Sequence, residues 1–353
     1  MLQPPAGTTG QGGGGGGADG VSASGGALGT GSAMAGGGAV GTGGGSGGVS
    51  ATGGTLGACA GQHGITEFTL PNLRSQPRGI TAGPDGNLWF TEYNADMIGR
   101  LSPSGALGEF HVISGSSGPF GIVAGRDGNI WFTEVLGHKI GYATTSGAIT
   151  EIGFSSADSL PKSMAIGPDG APWFTGYLAN EVARVSDTGN VTMLPCGNDG
   201  VLVGMTAGPD GNLWVTRQVV DSICKIPLDG PATIFELPRQ GSQPWGITVG
   251  PDGALWFTEY GAGRIGRITL AGQISEFDTP TPDSYPVNIT SAQGALWFTE
   301  YKGNAIGCIT TSGEMVEFPV PTAGSSPEGI ASGPDGNLWF TEQFGNKIGR
   351  INP

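Results

Sequence analysis

The sequence predicts an all-β fold, and three observations lead to this prediction. A Trp-Phe-Thr-Glu tetrapeptide or a close variant occurs seven times, at steps of 41 or 42 residues. Each repeat alternates short apolar runs with Gly, Pro, Asp and Asn, a pattern typical of four short strands and their turns. The two ends of the repeat region also complement each other. A period in the low forties with four strands is typical of a propeller blade, so we predict a seven-bladed β-propeller.

The elements of one repeat follow from its first copy. Strand one starts near Gly79 and ends at a Pro-Asp-Gly turn, residues 84–86, where proline presets φ and glycine supplies the positive φ that closes the hairpin. Strand two, residues 87–92, carries apolar side chains on both faces, so both faces must be covered. Blades stacked around an axis provide that cover. Strands three and four complete the unit.

The closure of the ring is predicted from the ends of the repeat region. The chain enters with a lone fourth-strand sequence, residues 65–68, and leaves after a third strand, residues 348–351. The last blade therefore lacks an outer strand, and the N-terminal segment is a spare one. We expect these two segments to pair, because an unpaired sheet edge would otherwise stay exposed.

The chain divides into a tether and one domain. Residues 1–60 contain long Gly/Ser/Ala/Thr stretches and a single acidic residue, so we predict a disordered Gly-rich tail before a propeller at 61–353. No signal peptide and no transmembrane segment are recognisable. The tail and the sparse lysine favour an extracytoplasmic location, and we expect a monomer.

Charge and cysteine content narrow the function classes. The formal net charge of −14 argues against a nucleic-acid partner and favours a cationic or metal-bridged ligand. The four cysteines match no zinc or redox spacing. Cys59 and Cys308 read as isolated thiols. Cys196 and Cys224, which flank the fourth blade, are either buried thiols or a disulfide.

Two rings of side chains are predicted on one face of the disc, because strand one begins and strand two ends there. The inner ring comprises Arg78, Phe120, Lys162, Val203, Trp245, Val287 and Glu328. The second ring comprises Glu92, Glu134, Gly176, Arg217, Glu259, Glu300 and Glu342.

The inner ring is the predicted binding site for a small-molecule or peptide ligand. Its residue type varies from repeat to repeat, so blade packing does not fix it, and the axial mouth of a propeller is a usual concave site. The predicted ligand contacts are Arg78, Phe120, Lys162, Trp245 and Val287. The glutamates of the second ring also have a structural interpretation, as acceptors for turn N–H groups.

The repeat closely resembles the virginiamycin B lyase family. The shared sequence motif is G-I-x-x-G-P-D-G-x-L-W-F-T-E, followed by I-G-R-I and G-x-I-x-E-F, and it extends across about residues 61–353. The resemblance implies a magnesium-dependent lyase that linearises a cyclic depsipeptide antibiotic by elimination. Such chemistry needs a base of near-neutral pKa and a metal that polarises a carbonyl oxygen.

The resemblance also assigns individual positions. Val287 and Glu328 stand where the family has histidines, Arg78 where it has a tyrosine, and Ser326 where it has a glutamate. Glu342 matches a family glutamate. The resemblance therefore makes Glu328 and Glu342 the candidate catalytic residues and Glu342 the candidate Mg²⁺ ligand.

Three interpretations remain open at this point: a lyase with altered catalytic residues, a propeller that binds a ligand or protein without catalysis, and a structural domain displayed on the tether.

Overall fold

The computed structural model describes residues 57–61, 63–154, 159–186 and 188–353, and most of the predicted tether lies outside them. Within the described residues, 28 strands form seven four-stranded antiparallel sheets, and a 3-10 turn at Gly57–Cys59 precedes them. The prediction of an all-β, seven-bladed propeller is confirmed. No helix of the described part is long and apolar enough to cross a bilayer.

We number the blades in chain order, with strand one of each blade nearest the axis. The strands of blades one to four are β2 Pro77–Ala82, β3 Leu88–Glu92, β4 Met97–Leu101, β5 Leu107–His111; β6 Pro119–Ala124, β7 Ile130–Glu134, β8 Lys139–Ala143, β9 Ile149–Gly153; β10 Pro161–Ile166, β11 Pro172–Gly176, β12 Glu181–Val185, β13 Val191–Pro195; β14 Leu202–Ala207, β15 Leu213–Arg217, β16 Ser222–Ile226, β17 Thr233–Glu236.

The strands of blades five to seven follow the same order. They are β18 Pro244–Val249, β19 Leu255–Glu259, β20 Arg264–Ile268, β21 Ile274–Asp278; β22 Pro286–Ala292, β23 Ala295–Glu300, β24 Ala305–Ile309, β25 Met315–Pro319; β26 Pro327–Ser332, β27 Leu338–Glu342, β28 Lys347–Ile351, with β1 Ile65–Thr69 as the outer strand of blade seven.

The predicted closure of the ring by the N-terminal strand is confirmed. Strand β1 pairs antiparallel with β28, and Ile65 faces Ile351 across the ladder. The carboxylate of Glu67 on β1 accepts hydrogen bonds from Lys347 at 2.5 Å and from the Thr322 backbone N–H at 2.9 Å. The N-terminal strand therefore binds both its own blade and the loop that enters it.

The recurring tryptophan has a specific partner. The Trp89 ring is fully buried, and its indole N–H donates to the Asp85 carboxylate of the Pro-Asp-Gly turn at 3.0 Å. The same bond recurs in five other described blades, at 2.9–3.2 Å. Each bond links the turn between strands one and two of a blade to the buried tryptophan of strand two. This link explains why the aspartate and the tryptophan recur together.

The cysteines correct one prediction. Cys59 and Cys308 are not isolated: they form a disulfide with a Cα–Cα distance of 5.7 Å, and both are buried. Pairing was hidden in the sequence because the partners are 249 residues apart and meet only after ring closure. Of the two alternatives for Cys196 and Cys224, the structure has the disulfide, with a Cα–Cα distance of 6.3 Å.

Candidate functional site

The axial side chains are aimed by a bulge in each first strand. In blade one, Pro77 pairs with Glu92 and Ile80 with Phe90, so strand β2 carries one residue more than its partner. The same shift recurs in the other first strands. A bulge bends the strand and redirects the side chain beside it. The residue after the first strand position thereby faces the axis.

The threonine of the repeated tetrapeptide holds that bulge in place. The hydroxyl of Thr133 accepts a hydrogen bond from the Gly121 N–H at 2.8 Å and donates to the carbonyl oxygen of Lys162, in the next blade, at 2.8 Å. The donated bond recurs in all seven described blades at 2.6–3.1 Å. Seven hydroxyls therefore fix the backbone of the seven axial positions, one blade to the next.

Close approach explains the glycine that follows most axial positions. A Cβ atom on Gly79 would lie 2.5 Å from the Phe120 carbonyl oxygen of the next blade. Two blades depart from this rule and carry Ser163 and Asn288 instead. These two side chains add polar groups to the axis.

The structure brings five predicted site residues together. Arg78, Phe120, Lys162, Trp245 and Glu328 all line one axial cavity of about 190 Å³. In blade six the cavity is lined by Asn288. Val287 is buried and does not line the cavity, so its ligand contact stays a prediction.

One side of the cavity is closed by an ion pair. The Arg78 guanidinium lies 2.6 Å from the Glu328 carboxylate, which is 3% exposed. Burial raises the pKa of Glu328 above its usual value, while Arg78 and Lys162 oppose that shift. The guanidinium also stacks against aromatic rings, 5.2 Å from the Tyr93 centroid and 5.5 Å from that of Phe120.

The other side is an aromatic cage around a lysine. The Lys162 Nζ atom lies 4.1 Å from the ring centroid of Tyr177, 4.2 Å from that of Trp245 and 5.3 Å from that of Phe120. Burial lowers the pKa of Lys162 to about 8. Cation–π attraction replaces part of the lost hydration.

Sequence reasoning missed Tyr93 and Tyr177 as parts of this site. A signal was present, because the residue after the tetrapeptide is aromatic in four repeats. These residues are Tyr93, Tyr177, Tyr260 and Tyr301. Each of the two tyrosines packs against the cation of its own blade, Tyr93 against Arg78 and Tyr177 against Lys162.

The glutamates of the second ring lie elsewhere. Glu92, Glu134, Glu259, Glu300 and Glu342 are fully buried at the ends of the second strands, and none lines the axial cavity. Burial raises the pKa of Glu342 to about 7, with Glu67 acting in the same direction and Lys347 and Ser325 against it. The structure does not join Glu342 to Glu328 in one cavity, and its catalytic and metal roles stay predictions.

The axial residues do not fit Mg²⁺. A magnesium site needs several oxygen ligands in near-octahedral geometry. Here Glu328 is bound to Arg78, and Lys162 adds a second cation beside it. The described residues contain no cluster of three or more His, Cys, Asp or Glu side chains able to hold a metal.

Comparisons with known proteins show that this chain is similar to virginiamycin B lyases over most of its length. The profile of the Virginiamycin B lyase family matches residues 39–210 and 196–353. A solved streptogramin B lyase is 37% identical, with a TM-score of 0.79 over 82% of this chain and 97% of that one. A catalytically inactive virginiamycin B lyase from Staphylococcus aureus, solved with Quinupristin, is 35% identical over 83% of this chain and 100% of that chain, also with a TM-score of 0.79.

A curated relative shares a short stretch. Virginiamycin B lyase of Saccharopolyspora erythraea is 51% identical over 41 residues, which span 12% of this chain and 14% of the relative's length. The family profile spans residues 39–353, and the two solved structures cover 82% and 83% of this chain. On these grounds the chain belongs to the virginiamycin B lyase family.

Proposed function

We propose that this protein is a ligand-binding propeller whose axial cavity receives a peptide-like ligand with aromatic or apolar side chains, without magnesium-dependent elimination. The observation that carries the proposal is the Arg78–Glu328 ion pair. A carboxylate that acts as base must reach a substrate proton, and Glu328 is buried and held by the guanidinium. Glu328, at the family's histidine position, is thus engaged by Arg78 and is not free to act as a base.

The surroundings of the cavity support the ligand class. Apolar side chains stand exposed after the second strands of four blades, where the chain turns on the face that bears the cavity. They are Leu136, Leu178, Val219 and Phe344. Exposed apolar groups around a concave aromatic site are typical of binding surfaces. A peptide-like ligand would bury them.

The test uses Quinupristin, the compound present in the solved Staphylococcus aureus relative. Binding is measured by isothermal titration calorimetry, with and without Mg²⁺. Ring opening is followed by chromatography with fragmentation, because an elimination opens a ring without changing its mass. We expect binding without ring opening, and the same affinity in both conditions. Turnover on the order of 1 per second, typical of enzymes, would overturn the proposal.

A further inference from the structure

Lys162 is a buried cation that forms no ion pair within the part of the chain that the structure describes. Its side chain lines the axial cavity, and the residue is 9% exposed. The nearby carboxylate of Glu328 bonds to Arg78 instead. Among the described residues, no ion pair and no side-chain hydrogen bond involves the Lys162 ammonium. Three N–H donors therefore face aromatic rings and the cavity.

The cavity carries one excess positive charge. Its charged lining consists of Arg78 and Lys162 against Glu328. The whole chain has a formal charge of −14, so this cavity is opposite in sign to the molecule around it. The expectation of a cationic ligand, drawn from the total charge, does not describe this site. A ligand with a single negative charge would balance it.

The protonation of Lys162 is governed mainly by its burial. Burial lowers the pKa of Lys162 to about 8, and Arg78 acts in the same direction while Glu328 opposes it. An anion at the ammonium would favour the charged form and raise that pKa. Binding of an anion is therefore coupled to proton uptake above about pH 8.

We infer that Lys162 recognises the carboxylate of an aromatic ligand whose ring lies against Trp245 and Phe120. This inference rests on the proposed function, because it specifies the ligand of the same cavity. A charge-assisted hydrogen bond between ammonium and carboxylate is strong where water is excluded. The flat faces of the cage supply the apolar contact, and the ammonium supplies the selection for an acid over its neutral analogue.

The first experiment compares two probes that differ only in charge. N-acetylphenylalanine and its neutral amide are titrated calorimetrically into the full chain at pH 7. We expect the acid to bind at least about tenfold more tightly, as a charged hydrogen bond implies. The preference should disappear in Lys162→Met. It should persist in Lys302→Met, the matched control, because Lys302 lies over a tyrosine ring on the same face but outside the cavity lining.

The second experiment uses pH. Affinity for the acid should fall above pH 8 as Lys162 loses its proton, and titrations in buffers of different ionisation enthalpy should show proton uptake. The other titratable groups facing the ammonium are Arg78, Glu328 and Tyr177. Lys162→Arg keeps its charge at high pH, so it should retain its preference for the acid at pH 9.5. Thermal melting checks that each variant folds.

The outcomes separate the inference from the proposed function. Equal affinity for acid and amide, both weakened in Trp245→Ala, would overturn the role of Lys162 and leave the cavity as a binding site. An acid preference that survives in Lys162→Met would also overturn it. If neither probe nor Quinupristin binds, the inference and the proposed function both fail.

Discussion

Phe120 lies close to both cations of the cavity. Its ring centroid lies 5.5 Å from the Arg78 guanidinium carbon and 5.3 Å from the Lys162 ammonium. Each cation thus keeps a π face as partial compensation for lost water. The ring lets two positive charges occupy a narrow space with one carboxylate, so residue 120 contributes to the electrostatics of the site as well as to its shape.

Trp245 is the residue whose truncation should weaken binding most. Its ring contacts the Lys162 ammonium at 4.2 Å and packs 5.3 Å from Tyr260. Truncation in Trp245→Ala removes one wall of the cage, and we expect Quinupristin affinity to fall by about 2 kcal/mol or more. Trp245→Phe keeps a ring and is the control. Calorimetry gives the affinities, and unchanged affinity in Trp245→Ala would place the ligand elsewhere.

At the scale of the strand, the threonine bridges make each axial position depend on the blade before it. Thr133→Val preserves shape but leaves the Gly121 N–H and the Lys162 carbonyl without their bonds. Unsatisfied buried polar groups cost about 1–3 kcal/mol each. We expect Thr133→Val to lower the unfolding free energy in urea by about 2 kcal/mol or more.

Thr133→Ser is the matched control for that experiment. It keeps the hydroxyl and removes only a buried methyl group, so it should lose less stability than Thr133→Val. If Thr133→Val proved no less stable than Thr133→Ser, the hydroxyl bridge would not be what stabilises the strand.

The buried glutamates of the second strands occur in pairs with outer-strand glutamates. Where a second strand ends in Glu, the outer strand of the same blade also carries Glu, opposite a glycine of the strand between them. Blades three and four have neither glutamate at these positions: their second strands end in Gly176 and Arg217, and Met193 and Ile234 stand at the equivalent outer-strand positions. The two carboxylates therefore belong to one structural unit of the blade.

These pairs predict an unusual pH dependence. Burial raises the pKa of Glu300 to about 8, and Glu317 acts in the same direction while Ser284 opposes it. A folded-state pKa above the unfolded one stabilises the fold fully below the unfolded pKa, near 4.5, and this stabilisation is lost as pH rises to about 8. Burial likewise raises the pKa of Glu134 to about 8. The melting temperature should therefore be higher at pH 6 than at pH 9.

Glu300→Gln tests this explanation directly. The amide cannot ionise, so the variant should be more stable than wild type at pH 9, by about 1 kcal/mol or more, and close to it at pH 5. Asp229→Asn, at an exposed turn, removes the same formal charge and serves as the control. A pH profile of melting that is identical in wild type and Glu300→Gln would contradict the assignment.

At the scale of the whole molecule, ring closure and the Cys59–Cys308 disulfide act together. Deleting residues 1–56 should leave the melting temperature unchanged, whereas deleting 1–60 also removes Cys59 and should lower it. Long-range disulfides contribute about 2–5 kcal/mol. Deleting through residue 70 removes β1 as well and exposes two edges, so its melting temperature should be lowest.

Reduction is the control for this truncation series. In dithiothreitol, the variants lacking 1–56 and 1–60 should melt together, while the variant lacking 1–70 stays well below both. Equal melting of all three oxidised variants would refute the closure by β1.

The sequence predicted the parts of the molecule that the repeat makes periodic. Blade number, strand order and the closing strand all follow from spacing and turn residues. The site was predicted in part, because Arg78, Lys162 and Trp245 occupy a repeat position that packing does not fix. Blade six was not predicted: Asn288 lines the cavity there and Val287 does not, although its first strand has the same bulge as the others. The Lys162 cage was also hidden, since its rings come from three blades.

The pairing of β1 with β28 has a consequence for biosynthesis. Glu67 and its partner Lys347 are 280 residues apart in the chain. On the ribosome, β1 emerges first and must wait for almost the entire propeller to be translated before its partner strand exists. Contacts this distant in sequence slow folding, and unpaired edges promote aggregation meanwhile. The nascent chain is therefore most prone to aggregate during elongation, while β1 has no partner strand. The segment ahead of β1 is rich in glycine and poor in apolar residues, so it gives the unpaired β1 few side chains with which to pack wrongly.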